Sequence, residues 1–153
     1  MTLRRGAGER IRASVICVAA PSDESGEPEL LCVRLRDPKS GIARLFPPGG
    51  AIEPGESPRQ AAEREALEET GYRVSLEPEL ERIARYPYTW NGVARAVTTH
   101  FFRARLIGDK RGAEPVHDAS YHEGVVWLPL AAIERELGFE PAILQATRAL
   151  IAL

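Results

Sequence analysis

The chain reads as an α/β protein in which a mixed β-sheet carries helices packed on it. Two observations predict this class. Strand-like apolar runs and helical segments follow one another without the regular alternation that a doubly wound parallel sheet requires. An Asn91-Gly92 dipeptide joins two long runs, 80–90 and 93–106, and this is the strongest short signal for an antiparallel hairpin. With 153 residues, no internal repeat and no linker-like stretch, a single domain over 1–153 is expected. That length closes a hydrophobic core without disulfides.

Residues 11–20 and 30–36 are rich in Val, Ile, Leu and Cys, and the polar stretch Pro21-Ser-Asp-Glu-Ser-Gly-Glu-Pro28 separates them, so they read as strand, loop, strand. A short strand around Ala43–Phe46 runs into Pro47-Pro48-Gly49-Gly50, where the prolines exclude a helix or a long strand. Segment 57–71 carries the punctuation of a helix: Ser57 as N-cap, Pro58 in the first turn, Gln60 at the capping-box position and Gly71 as a left-handed C-cap. A strand is expected at Val125–Leu128. Helices are expected over Pro129 to Leu137 and Pro141 to Leu153, the second with an apolar face of Ile143, Leu144, Thr147, Leu150 and Ile151.

Composition excludes several classes of function. A hydrophobic share of 44% and a charged share of 27% are those of an ordinary globular protein. The net charge of −2 argues against extended nucleic-acid binding. Of the 20 basic residues 18 are Arg, the side chain best suited to bidentate phosphate recognition, although genomic bias explains most of such a skew. Cys17 and Cys32 lie in apolar runs without metal-binding or redox spacing and read as buried small hydrophobes. Arg4, Arg5, Arg10 and Arg12 ahead of Ala13–Ala20 resemble a short signal peptide, but Glu9 interrupts the basic stretch and a first strand is the better reading. No stretch approaches the ~20 apolar residues of a membrane span, so a cytoplasmic location without membrane partners is expected.

The chemistry concentrates between Gly49 and Tyr72. On a helix, Glu65, Glu68 and Glu69 fall within an arc of about 100°, with Ala61 near its middle and Arg64 at its border. Like charges three and four residues apart destabilise each other unless something neutralises them. A solvated acidic face is the ordinary explanation for such a helix. The alternative is a hard divalent cation, with oxygen ligands, retained waters and room for phosphate oxygens. Glu56, just ahead of the helix, has the spacing to pair with Arg64. Gly49, Gly50 and Gly55 let the backbone pass close to metal or phosphate.

The spacing Gly50-x5-Glu56-x7-Arg64-Glu65-Ala66-Leu67-Glu68-Glu69-Thr70-Gly71-Tyr72 resembles the Nudix box, and all seven specified Gly, Glu and Arg positions match. Ala66 replaces the usual Leu, Ile or Val, and Tyr72 is aromatic at the closing apolar position. The likeness extends over roughly residues 10 to 137. It implies an α/β/α sandwich that hydrolyses a nucleoside diphosphate linked to another moiety, by water attack at phosphorus, with Mg²⁺ or Mn²⁺. The implied metal ligands are Glu65 and Glu69, joined by Glu68 and the Gly50 carbonyl, with Glu56 and Arg64 as an orienting pair. The base that activates water differs among members, so a box carboxylate such as Glu68 and a later loop carboxylate both stay open. The loop candidates are Asp118, His122 and Glu123, of which Glu123 is preferred for its position four residues before Trp127. His117 and His122 read as loop histidines, since Mg²⁺ disfavours imidazole.

The substrate-side expectations are Gly49, Tyr88 and Trp90. For the two aromatics, stacking on a base and plain cross-strand packing are both open. Pro87 resembles a marker of ADP-ribose substrates and Tyr88 one of dinucleoside polyphosphates, so the markers do not choose. A small nucleotide-like partner is expected, and a homodimer is left open. The rival functions are a nucleotide sensor that does not hydrolyse, and an isomerase or scaffold on the same fold.

Overall fold

The computed structural model describes residues 8–24, 26–110, 114–115 and 119–152. Strand alternation divides the core into two layers. Along β1 (Glu9–Ala19), Ala13, Val15 and Cys17 face one side and Ile16 the other. Along β6 (Val93–Leu106), Phe102 and Ala104 go with the first set, Val97 and Phe101 with the second. Successive strand residues point to opposite faces, so a sheet apolar on both must be covered twice.

The first cover is α1 (Pro58–Thr70), which lays the fully buried Ala61, Ala62 and Ala66 on β1. The second is the C-terminal pair α2 (Ile133–Leu137) and α3 (Pro141–Ile151), which supplies Ile133, Leu137, Ile143, Ala146 and Leu150. Helix, sheet, helix is the expected α/β/α sandwich.

The strand path is β3–β2–β1–β6–β5, with β2 at Glu29–Arg36, β3 at Ala43–Phe46 and β5 at Val74–Trp90. Two strands lie off this path: β4 (Gly49–Ala51) pairs with β1, and β7 (His122–Pro129) with β2. The sheet is mixed because β1 and β6 run parallel while the other pairs are antiparallel.

Several boundaries differ from the sequence reading, among them the start of β7 at His122 in place of Val125. β5 begins at Val74, six residues before the expected start at 80, and its pairing with β6 shifts register between Leu76 and Glu81. Glu79, with φ of 62°, follows Pro78 in that irregular stretch, so period-two patterning breaks where the strand continues. Pro87 is tolerated because β5 is an edge strand. The double proline at 47–48 is followed at once by the short β4, because Pro48 takes part only as an acceptor, from Val15 N–H at 3.0 Å and the Ser14 hydroxyl at 2.6 Å. The expected helix from Pro129 opens as a 3-10 turn over Leu130–Ala132 before α2.

The termini of α1 match the residue-level expectation. The Ser57 side chain accepts from Gln60 N–H at 3.1 Å, and the Gln60 side chain accepts from Ser57 N–H at 2.9 Å. Gly71 closes the helix in the left-handed region at φ 76°. Tyr72, the unusual aromatic after it, packs edge-on against Trp127 at 5.5 Å, accepts the indole N–H at 3.2 Å and donates its hydroxyl to the Lys110 carbonyl at 2.5 Å. A larger side chain is thereby anchored at a position that an aliphatic residue usually fills.

Because α1 carries the acidic cluster, its cap matters beyond local stability. Ser57→Ala should cost about 1 kcal/mol, read as a lower denaturation midpoint with an unchanged slope in urea. An unchanged midpoint would show that packing against β1 holds the helix start without the cap.

Candidate active site

The acidic arc of α1 is not a solvated surface. Its middle, Ala61, is fully buried, and β4 runs across it. β4 lies so close to α1 that a Cβ on Gly50 would meet the Glu65 carboxyl group, and so close to β1 that a Cβ on Gly49 would come within 2.6 Å of the Ala13 carbonyl oxygen. Gly49 meets backbone and so demands glycine for space, whereas a side chain at Gly50 would displace the Glu65 carboxyl group from its place.

Arg64 ties this arrangement together. Its Nε and Nη2 donate to the two oxygens of Glu56 at 2.7 and 2.9 Å, a bidentate pair. Nη2 also donates to the Ala51 carbonyl at 3.0 Å. Nη1 donates to Glu65 at 2.8 Å and to Glu68 at 3.0 Å. One guanidinium thus links the loop ahead of the helix, the end of β4 and two carboxylates of the helix. The Arg64 hydrogen bond holds Glu56 below the usual carboxylate range. A surface ion pair contributes ~0–1 kcal/mol, whereas removing one partner of a buried pair costs ~3–5 kcal/mol. With side-chain exposures of 23% for Arg64 and 14% for Glu56, this pair lies nearer the second case.

Glu69 is the least solvated of the three acids, with 8% of its surface exposed. Its carboxylate accepts one backbone N–H, from Gly49 at 3.3 Å, and burial pushes its pKa up to about 8. Burial likewise raises Glu65, against the opposing pull of Arg64. These groups fit a divalent cation. The donors are all oxygen, one carboxylate is buried without an ion-pair partner among the described residues, and glycine backbone leaves room beside the other. Among the described residues no three acidic, His or Cys side chains already converge as a ligand cage. Mg²⁺ does not require one, since it is commonly held by one or two carboxylates plus phosphate and water.

The acids form one wall of a cavity of about 490 Å³. Gly49, Gly50, Glu65, Glu68, Glu69, Tyr88 and Trp90 all line it, so most of the expected ligand and substrate residues come together. Tyr88 also packs edge-on against Phe46 at 6.0 Å, and Trp90 against Tyr121 at 5.7 Å, so cross-strand position and cavity exposure coexist. Glu123 is not brought to this wall. Its carboxylate is paired with Arg36 through bonds of 2.8 and 3.1 Å, which hold it below the usual carboxylate range. On the same strand, His122 points the other way and its Nε2 lies 2.9 Å from the Glu69 backbone carbonyl. Asp118 and His117 lie outside the described residues. Cys17 and Cys32 are buried, and burial raises both thiols.

Sequence reading missed the opposite wall: Arg10, Arg12, Arg95 and Tyr121. Their signal was the i, i+2 spacing of Arg10 and Arg12, visible only once 9–12 is taken as strand.

The sequence profile of the NUDIX domain matches residues 10–150. The chain belongs to the Nudix hydrolase family. Nudix hydrolases generally use divalent metal ions and act on small nucleotides. A Bacillus subtilis (strain 168) protein provisionally named an 8-oxo-dGTP diphosphatase is 54% identical over 81 residues, covering 53% of this chain and 47% of the relative. An RNA pyrophosphohydrolase of Erythrobacter litoralis is 38% identical over 74 residues, 40% of this chain and 43% of the relative. The chain therefore spans less than half the length of these relatives. Among solved structures, an Ap4A hydrolase complex of C. elegans superposes with a TM-score of 0.70 at 19% identity over 94% of this chain and 96% of that one. A Nudix hydrolase of Nitrosomonas europaea gives 0.67 at 20% identity over 94% and 89%. At such identities the likeness establishes the fold. Among the described residues of this Nudix family member, no helix is long and apolar enough to cross a membrane.

The burial of Glu69 predicts a pH dependence for the metal-free protein. Its folded pKa of about 8 lies above the unfolded value of ~4.3, so between these pH values only the folded state holds the proton. Stability should be fully present below the lower value and fall as pH rises to the upper. Glu69→Gln should remove this loss and melt higher than the parent near pH 8 in chelator, with the two converging near pH 4. Parallel melting profiles across that range would contradict the burial argument.

Proposed function

We propose that the chain hydrolyses a diphosphate linkage in a nucleoside diphosphate derivative, by water attack at phosphorus, with Mg²⁺ or Mn²⁺ as cofactor. The single observation that supports this best is the Arg64 fork, which organises Glu56, Glu65 and Glu68 beside a cavity wall shared with the buried Glu69. A chain without metal chemistry to perform has no evident use for this concentration of unneutralised acid.

Glu65 and Glu69 are the assigned metal ligands, with the Gly50 carbonyl completing the set. A divalent cation there supplies Lewis-acid stabilisation of charge building on the phosphoryl oxygens. The Gly49 N–H restrains Glu69, and Glu56 restrains Glu65 through Arg64. Glu68, half-buried on the cavity wall, is the carboxylate we assign to accept the proton of the attacking water. It lines the cavity, whereas Glu123, paired with Arg36, does not. Tyr88 and Trp90 are assigned to the nucleoside. The names of the relatives, an RNA pyrophosphohydrolase, a provisional 8-oxo-dGTP diphosphatase and an Ap4A hydrolase, support a nucleotide with a phosphoanhydride.

The test is a panel of nucleoside triphosphates, ADP-ribose and dinucleoside polyphosphates incubated with Mg²⁺ or Mn²⁺ and read for phosphate-containing products. At least one should be cleaved, and Glu65→Gln should lower that rate about 10²-fold or more with the fold intact. Binding without cleavage of any of them would leave a sensor in place of an enzyme.

The Arg64 fork makes a second expectation. Arg64→Ala and Glu56→Ala should each lower kcat by about 10²-fold, since displacements of ~1 Å carry costs of that order. KM should change little. The double variant should lose scarcely more than either single one, because residues acting as a unit are non-additive. Fully additive losses would show that the two side chains act independently.

A further inference from the structure

The wall facing the acidic helix carries a row of arginines that the reading above does not use. On β1, Arg10 and Arg12 are two residues apart and share a face. Arg10 pairs with Val97 in the parallel β1–β6 register, so Arg95 on the same face of β6 stands level with residue 8. The three positions thus climb β1 in two-residue steps, over about 13 Å at the rise of a strand. The upper end of the row meets the metal-site backbone, since Arg12 pairs with Ala51 and the next residue, Ala13, with Gly50. All three side chains line the same cavity as Glu65 and Glu69.

Some arginines of the chain are held by acids. Arg36, Arg64, Arg103 and Arg148 each have a carboxylate within 3.3 Å. Among the described residues, Arg10, Arg12 and Arg95 have none within ion-pair distance. Burial, then the neighbouring charges of Arg12 and Arg95, hold Arg10 below its ordinary value. Three like charges gathered on one wall are an unfavourable arrangement until an anion joins them. Arg12 feels Glu65 and Glu69 electrostatically, and the metal-site reading commits both to a cation. An anionic ligand supplies a partner for such a row, and guanidinium favours phosphate through paired N–H bonds.

We propose that Arg12, Arg10 and Arg95 form an anion row selecting nucleotides whose phosphate chain continues beyond the scissile linkage. This rests on the hydrolase reading for the position of that linkage. The ligand class is a nucleotide with three or more consecutive phosphates, in preference to one such as ADP-ribose, where a neutral sugar follows two. Tyr88, cross-strand from Arg95, and the Trp90–Tyr121 pair then flank the basic row with aromatic surface for a nucleoside.

The first test is independent of turnover. Binding of inorganic tripolyphosphate and of pyrophosphate to the full chain in chelator is measured by calorimetry. Tripolyphosphate should bind at least about tenfold tighter, and Arg10→Gln and Arg95→Gln should each lower its affinity about tenfold while the circular dichroism spectrum is preserved. The second test compares kcat/KM for a nucleoside triphosphate and a dinucleoside tetraphosphate with that for ADP-ribose. Both variants should lower at least one polyphosphate ratio about tenfold, and the ratio that falls further tells whether the chain ends in a phosphate or a second nucleoside. Tripolyphosphate binding no tighter than pyrophosphate, or equal losses on all three substrates, would overturn the proposal. Arginine-dependent tripolyphosphate binding in a protein that cleaves nothing would uphold the anion row and remove the hydrolase reading instead.

Discussion

Negative charge is crowded where two of three carboxylates have little exposure to solvent. Glu65, Glu68 and Glu69 lie on one arc of α1, and β4 passes so close that a side chain at Gly50 would displace the Glu65 carboxyl group. Burial raises the cost of ionising Glu65 and Glu69, and neighbouring acids raise it further, Glu68 for Glu65 and both Glu65 and Glu68 for Glu69. Arg64 relieves part of this by reaching Glu65 and Glu68, yet most of its donor capacity goes to Glu56 and the Ala51 carbonyl. Glu69 keeps the charge of Arg12 and one hydrogen bond, from the Gly49 N–H. The balance left is the condition under which a divalent cation is favoured, because it neutralises the charge where water no longer can.

β1 carries the opposite arrangement. The strand pairs with β4 along one edge and with β6 along the other, so it is the common support of both cavity walls. From its middle, Ala13, Val15 and Cys17 hold α1 and its acids in place, while the N-terminal Arg10 and Arg12 turn toward the cavity. An acidic wall and a basic wall thereby meet within a few residues of one strand. Such a cavity presents a cation-assisted grip at one end and guanidinium groups along the side, with the aromatic residues of the β5–β6 hairpin between them and solvent.

The hairpin is itself held from outside. Asn91 N–H donates to the Asp37 carboxylate at 3.1 Å, and the same carboxylate accepts from Lys39 and Ser40 N–H. The loop between β2 and β3 thus steadies the turn that follows Trp90. Loop-to-loop restraint of this kind is invisible in local sequence, because Asp37 and Asn91 are 54 residues apart.

What was legible by itself in the sequence was whatever short-range geometry decides. Ser57, Pro58, Gln60 and Gly71 bracket α1 because caps act within one turn. Asn91-Gly92 marks the hairpin because its turn needs positive φ at both residues, and both have it. The i, i+3 and i+4 spacing brings Glu65, Glu68 and Glu69 onto one arc for the same reason. Tertiary structure alone decided which face of that arc is dry, since dryness comes from β4 lying across it. It alone paired Glu123 with Arg36 and kept it off the cavity wall, because adjacent residues of β7 point to opposite sides and the strand register with β2 selects which. It alone gathered Arg10, Arg12 and Arg95, which belong to strands more than 70 residues apart in sequence and become neighbours only through the parallel β1–β6 register.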